Sequence, residues 1–378
     1  MIDYILYAIF ILLFINYVIF LITVLSGLSK LKTFSNKKIL DEFISIIIPF
    51  RNEAENILNN LKSIKKLNYP VDKFEVIYVN DSSSDNSFDL LTNNITAENI
   101  KVISVPETFS PNAHKKRAVR YGIENANGEI IVTTDADCVF NNDWLGALLS
   151  NLDEDTGFVS GPVEFYDEGN LFSKLQKLEF AGLIFTGAGL IGAGKPTICN
   201  AANTAYRKKV FEQVNGFADQ MDLSSGDDEL LMQKIAKDTD YKVKFSLNKN
   251  SIVKTKANNS LNSFYQQRKR WASKGLFYRS KILIAALILI YLFYLGLIIQ
   301  PILIFSVSID YIFIFVISLS LKFFLEYLIM KRGKILLFDT LSLKPFLIAE
   351  MLQIPYIIIA GIAGAFGNYK WKERKVKR

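Results

Sequence analysis

The sequence predicts an α/β fold: a mostly parallel sheet in the middle of the chain, with transmembrane helices at both ends. Three observations carry this. Between about residues 40 and 275, short β-branched runs alternate with stretches of helical periodicity, the pattern of βαβ units. Before and after that region lie uncharged apolar runs long enough to cross a bilayer. Polar residues gather where the strands end, which is where ligands bind in open α/β sheets.

The first element, Tyr4 to Leu25, is uncharged and holds one Asn. A signal peptide would have a basic start and a shorter apolar core. Here Asp3 precedes the run, and Lys30, Lys32, Lys37 and Lys38 follow it. That order predicts a transmembrane helix over 1–28 with its N-terminus outside, and a cytoplasmic domain over 40–275. The expected location is a cell inner membrane. Cys138 and Cys199 suit a reducing compartment and read as small buried apolar residues.

Within the domain, "FISIIIPF" (43–50) predicts a buried strand ending in Pro. Residues 53–67 carry helical spacing, 73–81 predict a strand, "NSFDLLTNN" a short helix, and 100–105 a strand. Residues 115–126 predict a helix closed by Asn-Gly, and 129–137 a strand. The stretch 171–192 is apolar but carries Lys174, Lys177 and Glu179 early. A core helix is one reading; an interfacial helix bordering a lipid acceptor is the expectation.

Three more apolar runs follow: Ile282 to Ile309, Tyr311 to Met330 and Met351 to Tyr369. They predict transmembrane or re-entrant helices over 281–369 and a basic tail over 370–378. Lys322 and Glu326, spaced i, i+4, predict a pair facing the bundle interior. Counting spans outward from a cytoplasmic domain leaves the basic tail outside, against the positive-inside expectation. Either the last run is re-entrant or interfacial, or the rule fails here.

The formal net charge is +7. The cations cluster beside membrane segments, at 30–38, 268–281, 331–334 and 370–378. Contact with anionic lipid headgroups and the setting of topology explain them, and no nucleic-acid partner is expected.

The strand ends are acidic. Arg51, Asn52 and Glu53 follow the first strand, Asn80 and Asp81 the second, and Asp135 and Asp137 the fourth. On an extended segment two acids two residues apart share a face. Close carboxylates resist joint ionisation unless a cation holds them. Mg²⁺ or Mn²⁺ does so, taking one or two carboxylates plus substrate phosphates. Asp135-Ala136-Asp137 therefore predicts a metal that bridges to a diphosphate. A solvated loop is the structural alternative, and convergence with Asp81 favours the site. Asp85 is expected to cap a turn. Lys115 starts a helix and can meet an anion, whereas Lys116 and Arg117 are expected on its solvated face. His114 is the single histidine, which excludes a multi-histidine metal site. Neither a P-loop nor a G-x-G-x-x-G motif occurs.

Seven ordered motifs carry a family likeness. They are "SIIIPFRNEAENI", "VNDSSSDNS", K-x-x-A-x-x-x-G at 115–122, "TTDADC", "CNAANTAYRK", "GDDELL" at 226–231 and "QRKRW" at 267–271. Over residues 43–275 the chain resembles membrane-associated family 2 glycosyltransferases with the GT-A fold, whose sheet is Rossmann-like and binds nucleotide. The resemblance implies an inverting hexosyltransferase that uses a nucleotide sugar, usually a UDP-sugar. It implies nucleotide contacts at Pro49, Arg51, Glu53, Asp81, Lys115, Asp135 and Ala136, and metal contacts at Asp137 and Asp135. Asp228 would be the general base, and Gln267, Arg270 and Trp271 the Q-x-x-R-W set.

The sequence departs from the family at three places. Gly226-Asp227-Asp228 replaces the usual Thr-Glu-Asp, so Asp227 is a rival base. Asn80 stands for a common Asp, and Arg120 for a common Asn. A lipid acceptor is expected, because extruding a polar polymer needs a water-lined path and four spans are few for one. A processive poly-hexosamine or glucan synthase is the alternative. A non-catalytic membrane-anchored binder of sugar nucleotides is a third reading.

Overall fold

The computed structural model describes residues 2–32, 39–109, 115–166, 168–218, 226, 228–366, 369–371 and 374–376. His114 and Asp227 lie outside the described residues. Helix α1 (Ile2–Lys30) leads to strand β1 (Ile44–Phe50), helix α2 (Ile57–Ile64), β2 (Phe74–Asn80), α3 (Ser87–Asn94), β3 (Ile100–Ser104), α4 (Lys115–Glu124) and β4 (Ile130–Thr133). Then come β5 (Val139–Phe140), α5 (Trp144–Leu149), β6 (Thr156–Ser160), β7 (Val163–Phe165), α6 (Leu171–Gly192), β8 (Thr204–Arg207) and α7 (Lys208–Gln213). After these follow α8 (Glu229–Asp238), β9 (Lys242–Phe245), β10 (Val253–Thr255) and α9 (Leu261–Ala272). The C-terminal part holds α10 (Lys281–Ser306), α11 (Tyr311–Leu336), α12 (Phe346–Phe366), β11 (Tyr369–Trp371) and β12 (Arg374–Val376).

Seven strands form one sheet in the order β3-β2-β1-β4-β8-β6-β9. Strand β1 runs parallel to β2 and β4, with Ile44 opposite both Phe74 and Ile130. Both of its faces are covered and all seven residues are buried, which is why it reads as an unbroken apolar run. Only β8 runs antiparallel to its neighbours, so the expected mostly parallel sheet is present. A second sheet, β5-β10-β7, flanks it.

The helix over 115–124 corrects one expectation. Lys116 is fully buried and Arg117 nearly so; Arg117 donates to the Pro106 carbonyl at 2.9 Å. Their aliphatic stems pack inward, since α4 lies against β1 and β2.

Four helices are long and apolar enough to cross a membrane: α1, α10, α11 and α12. Helix α6 joins them to the α/β domain, packing on α1, α11 and α12 and also on β7 and β9. Its backbone touches α1, and a Cβ on Gly27 would fall 1.7 Å from the Gly189 carbonyl oxygen. Only glycine permits that crossing, the usual device of close helix packing in membranes.

The Lys322–Glu326 pair is present at 3.0 Å and buried. It belongs to a larger cluster. Lys322 also pairs with Glu350 and donates to the Gln353 side chain at 2.9 Å. Tyr17 donates to Glu326, and the Tyr17 and Tyr294 hydroxyls meet at 2.8 Å. Charge within the bundle is thus paired across α1, α10, α11 and α12, the condition for its tolerance there.

Helix α12 meets the α/β domain near both of its ends. The connection before it is tied down by Lys249 and Asp339 at 2.5 Å and by Phe338 against Phe185 of α6, with ring centroids 5.4 Å apart. At its far end Gly364 lies so close to Ala272 of α9 that an added Cβ would sit 2.6 Å from the alanine Cβ. The α10–α11 connection lies elsewhere, where Tyr311 stacks on Tyr7 near the start of α1.

Candidate active site

The carboxyl ends of β1, β2 and β4 open into one cavity of about 700 Å³. All twelve residues singled out in the sequence line it: Pro49, Arg51, Glu53, Asp81, Lys115, Asp135, Ala136, Asp137, Asp228, Gln267, Arg270 and Trp271.

One corner of the cavity, at Arg51 and Asp81, is built by two loops that brace each other. Arg51 donates to the Asp81 carbonyl at 2.7 Å. Asn52 accepts from the Ser84 amide at 2.8 Å. Asn80 accepts from the Ser83 amide at 2.9 Å, so the amide at this departure from the family closes its own loop. Asp85 takes the turn role expected of it, accepting from the Ser87 and Ala54 amides, both at 3.1 Å. Asn52 and Ser82 are left-handed, with φ of 52° and 57°. Asn accepts this readily and Ser less so, a form of local strain that collects at ligand-binding loops.

The two acids sit differently from the expectation. Strand β4 stops at Thr133, so Asp135 and Asp137 do not alternate along an extended segment. They lie in a turn closed by the Cys138 amide donating to the Asp135 carbonyl at 3.1 Å. Buried Asn60 holds that turn, donating to the Asp135 and Cys138 carbonyls at 3.2 and 2.8 Å. Tyr78 in turn donates to Asn60 at 2.7 Å. Likewise β2 ends at Asn80, one residue before Asp81. Asp135 pairs with Lys115 at 2.5 Å.

Among the described residues, no three His, Cys, Asp or Glu side chains form a cage for a metal. Two carboxylates on one turn are nonetheless a donor set that suits a hard divalent ion, which binds through one or two carboxylates and the substrate's phosphates.

Asp228 stands at the N-cap position of α8 without a side-chain capping bond, and a helix terminus there favours negative charge. Its Oδ2 accepts from the Ala201 amide at 2.9 Å. Thr133, the last residue of β4, donates to the Ala201 carbonyl at 2.9 Å. One residue thus links the acid on α8 to the strand that carries the acidic turn.

Three further residues complete this corner and were not foreseen. Lys274, after α9, lies 3.8 Å from Asp228 and 3.3 Å from Glu229. Tyr278 donates to Glu229 at 2.6 Å. Burial pushes the Glu229 carboxyl above the ordinary carboxylate range, although Lys274 and Tyr278 both oppose this. Glu229 stands in "GDDELL" itself and its signal was readable. Lys274 and Tyr278 have none, because they come from the connection into α10.

The opposite wall is apolar, with Phe165 of β7, Phe180, Leu183 and Ile184 of α6, and Ile198. Trp271 lies 5.9 Å from Phe180 between ring centroids. The cavity therefore runs from acidic loops to an apolar face backed by the membrane helices.

The order of elements and the mostly parallel sheet define a GT-A-like α/β fold that opens into this cavity. The glycosyl transferase family 2 model matches residues 45–214, and the glycosyl transferase family group 2 model matches 130–330. The chain belongs to the family 2 glycosyltransferases. It is 29% identical over 215 residues to Glycosyltransferase AglE of Haloferax volcanii, matching 54% of this chain and 64% of that protein. It is 27% identical over 241 residues to the poly-beta-1,6-N-acetyl-D-glucosamine synthase of Staphylococcus aureus, matching 62% of this chain and 55% of that protein. The chain thus spans between half and two thirds of the length of these relatives. The mannosyltransferase PcManGT from Pyrobaculum calidifontis, solved with GDP-Man and Mn²⁺, shares the fold. It has a TM-score of 0.60 and 19% identity, over 95% of this chain and 98% of that one.

Proposed function

We propose that the protein is an inverting glycosyltransferase that moves a sugar from a UDP-sugar to a lipid acceptor at the cytoplasmic membrane face. The observation that carries this is the single cavity joining the acidic loops to an apolar wall on α6. Asp228 is the general base, a role that needs a carboxylate within reach of the acceptor hydroxyl, and Asp228 lines the cavity. It removes the acceptor hydroxyl proton as the hydroxyl attacks the anomeric carbon. Arg270 meets the departing diphosphate with the planar fork that Arg offers. Gln267 and Trp271 orient the sugar or acceptor, Trp271 through its apolar ring face. Glu53, Asp81, Lys115 and Asp135, with Pro49, Arg51 and Ala136, hold the nucleotide. Asp137, with Asp135, would hold Mg²⁺ or Mn²⁺, which when bound neutralises charge on the leaving diphosphate.

The test is a screen of UDP- and GDP-sugars with membrane lipid extract, read by mass spectrometry of the products. A single sugar added to a lipid is the expected result. Transfer from GDP-sugars alone would sink the UDP assignment. A long sugar ladder would support a processive synthase instead, the reading that the likeness to the poly-N-acetylglucosamine synthase favours.

The same proposal makes α12 interfacial, because one unbroken helix of 21 residues can keep both ends on one side only by lying along the membrane face, with the basic stretch 370–378 on the cytoplasmic side. Contact of both its ends with the catalytic domain supports this, and so does the positive-inside rule. Cysteines introduced at Arg378 and Lys66 are expected to react with an impermeant maleimide from the same side of sealed vesicles. One introduced at Ile309 is expected to react from the other. Labelling at 378 together with 309 would show a fourth crossing.

A further inference from the structure

The Q-x-x-R-W pattern passes over Arg268, yet this side chain is the most constrained on α9. It is only 2% exposed. Its Nε donates to Glu179 Oε1 of α6 at 3.0 Å, and its Nη2 pairs with the other carboxylate oxygen. The remaining arm, Nη1, donates to the Gln267 side-chain carbonyl. The guanidinium lies 4.2 Å from the Trp271 ring centroid and 4.5 Å from that of Phe264. Glu179 also accepts from Tyr356 of α12 at 3.1 Å. The same Gln267 oxygen also accepts from the Asn258 side-chain amide, at 2.8 Å.

Arg268 does not line the cavity, whereas Gln267 and Trp271 do. One buried group thus touches two cavity residues and reaches, through a single carboxylate, the hydroxyl of a membrane-region helix. A planar fork meets all of these directions at once, and a lysine ammonium cannot.

We propose that Arg268 is a positioning residue that fixes Gln267 and Trp271 for sugar transfer, and that α12 holds it in place through Tyr356 and Glu179. This rests on the assignment of Gln267 and Trp271 to the reacting end of the cavity. It gives a role to the packing of α12 against α9 and α6 as well as against α10. Loss of the Tyr356 contact would be felt at the cavity without any direct contact to substrate.

The experiment uses the full chain in lipid vesicles, supplied with a UDP-sugar, Mn²⁺ and membrane lipid extract. Transfer to lipid and hydrolysis of the donor by water are measured in the same sample. For Arg268→Lys the ratio of transfer to hydrolysis is expected to fall about 10- to 100-fold, the cost of misplacing reacting groups by an ångström or less. Tyr356→Phe, which removes one hydroxyl, is expected to lower the ratio less and in the same direction. A merely structural role would reduce both reactions together and leave the ratio unchanged, which overturns the proposal. If Arg268→Lys fails to bind UDP with Mn²⁺, Tyr356→Phe decides alone, and an unchanged ratio in it overturns the proposal. Gln267→Ala and Trp271→Ala separate the two levels. Full transfer in both sinks the underlying assignment and the proposal with it. Lost transfer in both, with normal ratios in Arg268→Lys and Tyr356→Phe, sinks the Arg268 proposal only.

Discussion

Asp228→Asn is expected to lower sugar transfer by about 100- to 10,000-fold, the usual worth of a general base, while UDP and Mn²⁺ still bind. The substitution is nearly isosteric. Its side-chain carbonyl can keep the bond from the Ala201 amide seen at 2.9 Å, so the loop between β4 and α8 retains its anchor. What disappears is the capacity to take a proton from the acceptor. Lys274, 3.8 Å away, would then face a neutral amide, and Glu229 would be its remaining partner there. Turnover measured by nucleotide release, beside a binding titration with UDP and Mn²⁺, separates the two effects. Full activity in Asp228→Asn with a dead Asp227→Asn would assign the proton transfer to the neighbouring acid. Loss of nucleotide binding would mean that Asp228 serves the donor rather than the acceptor.

Asp137→Ala should have an effect of similar size, about 100- to 1,000-fold on turnover, as for the removal of one electrostatic stabiliser of the leaving group. In the unaltered protein a chelator should abolish transfer, and added Mn²⁺ or Mg²⁺ should restore it. In Asp137→Ala no metal concentration should restore it. Asp135 does not compensate, because it leaves one carboxylate, shared with Lys115 at 2.5 Å, where the proposed site has two. The acidic turn itself should survive, since its shape rests on backbone bonds to Asn60 at 3.2 and 2.8 Å. Full activity in chelator, with Asp137→Ala unimpaired, would remove the metal from the proposed function.

Much of the site was legible because its residues follow predictable elements. The strand β1 is an unbroken apolar run, and the polar residues after it fall where a parallel sheet opens. The same logic located Asp81 and the Asp135–Asp137 pair. The reason given for that pair's common direction did not hold. The strand stops at Thr133, and a turn clamped by Asn60, 75 residues earlier in the chain, orients the acids. No local pattern marks Asn60, since a buried amide in a helix looks like any surface Asn until its partners are known. Lys116 and Arg117 were misread for the same reason. Charge in a helix predicts solvent, and only packing reveals that the stems run inward.

The sequence by itself determined the order of elements, the apolar helices and twelve of the residues that line the cavity. Periodicity of two or 3.6 and runs of span length are local properties, set by backbone geometry and the thickness of a bilayer. The tertiary structure decided what no local property encodes. It brought Lys274 and Tyr278 to the acid on α8, joined Arg268 to Glu179 and Tyr356, and returned both ends of α12 to the catalytic domain. These are pairings across 40 to 180 residues of chain. They form because a buried charge or hydroxyl must find a partner wherever the fold supplies one.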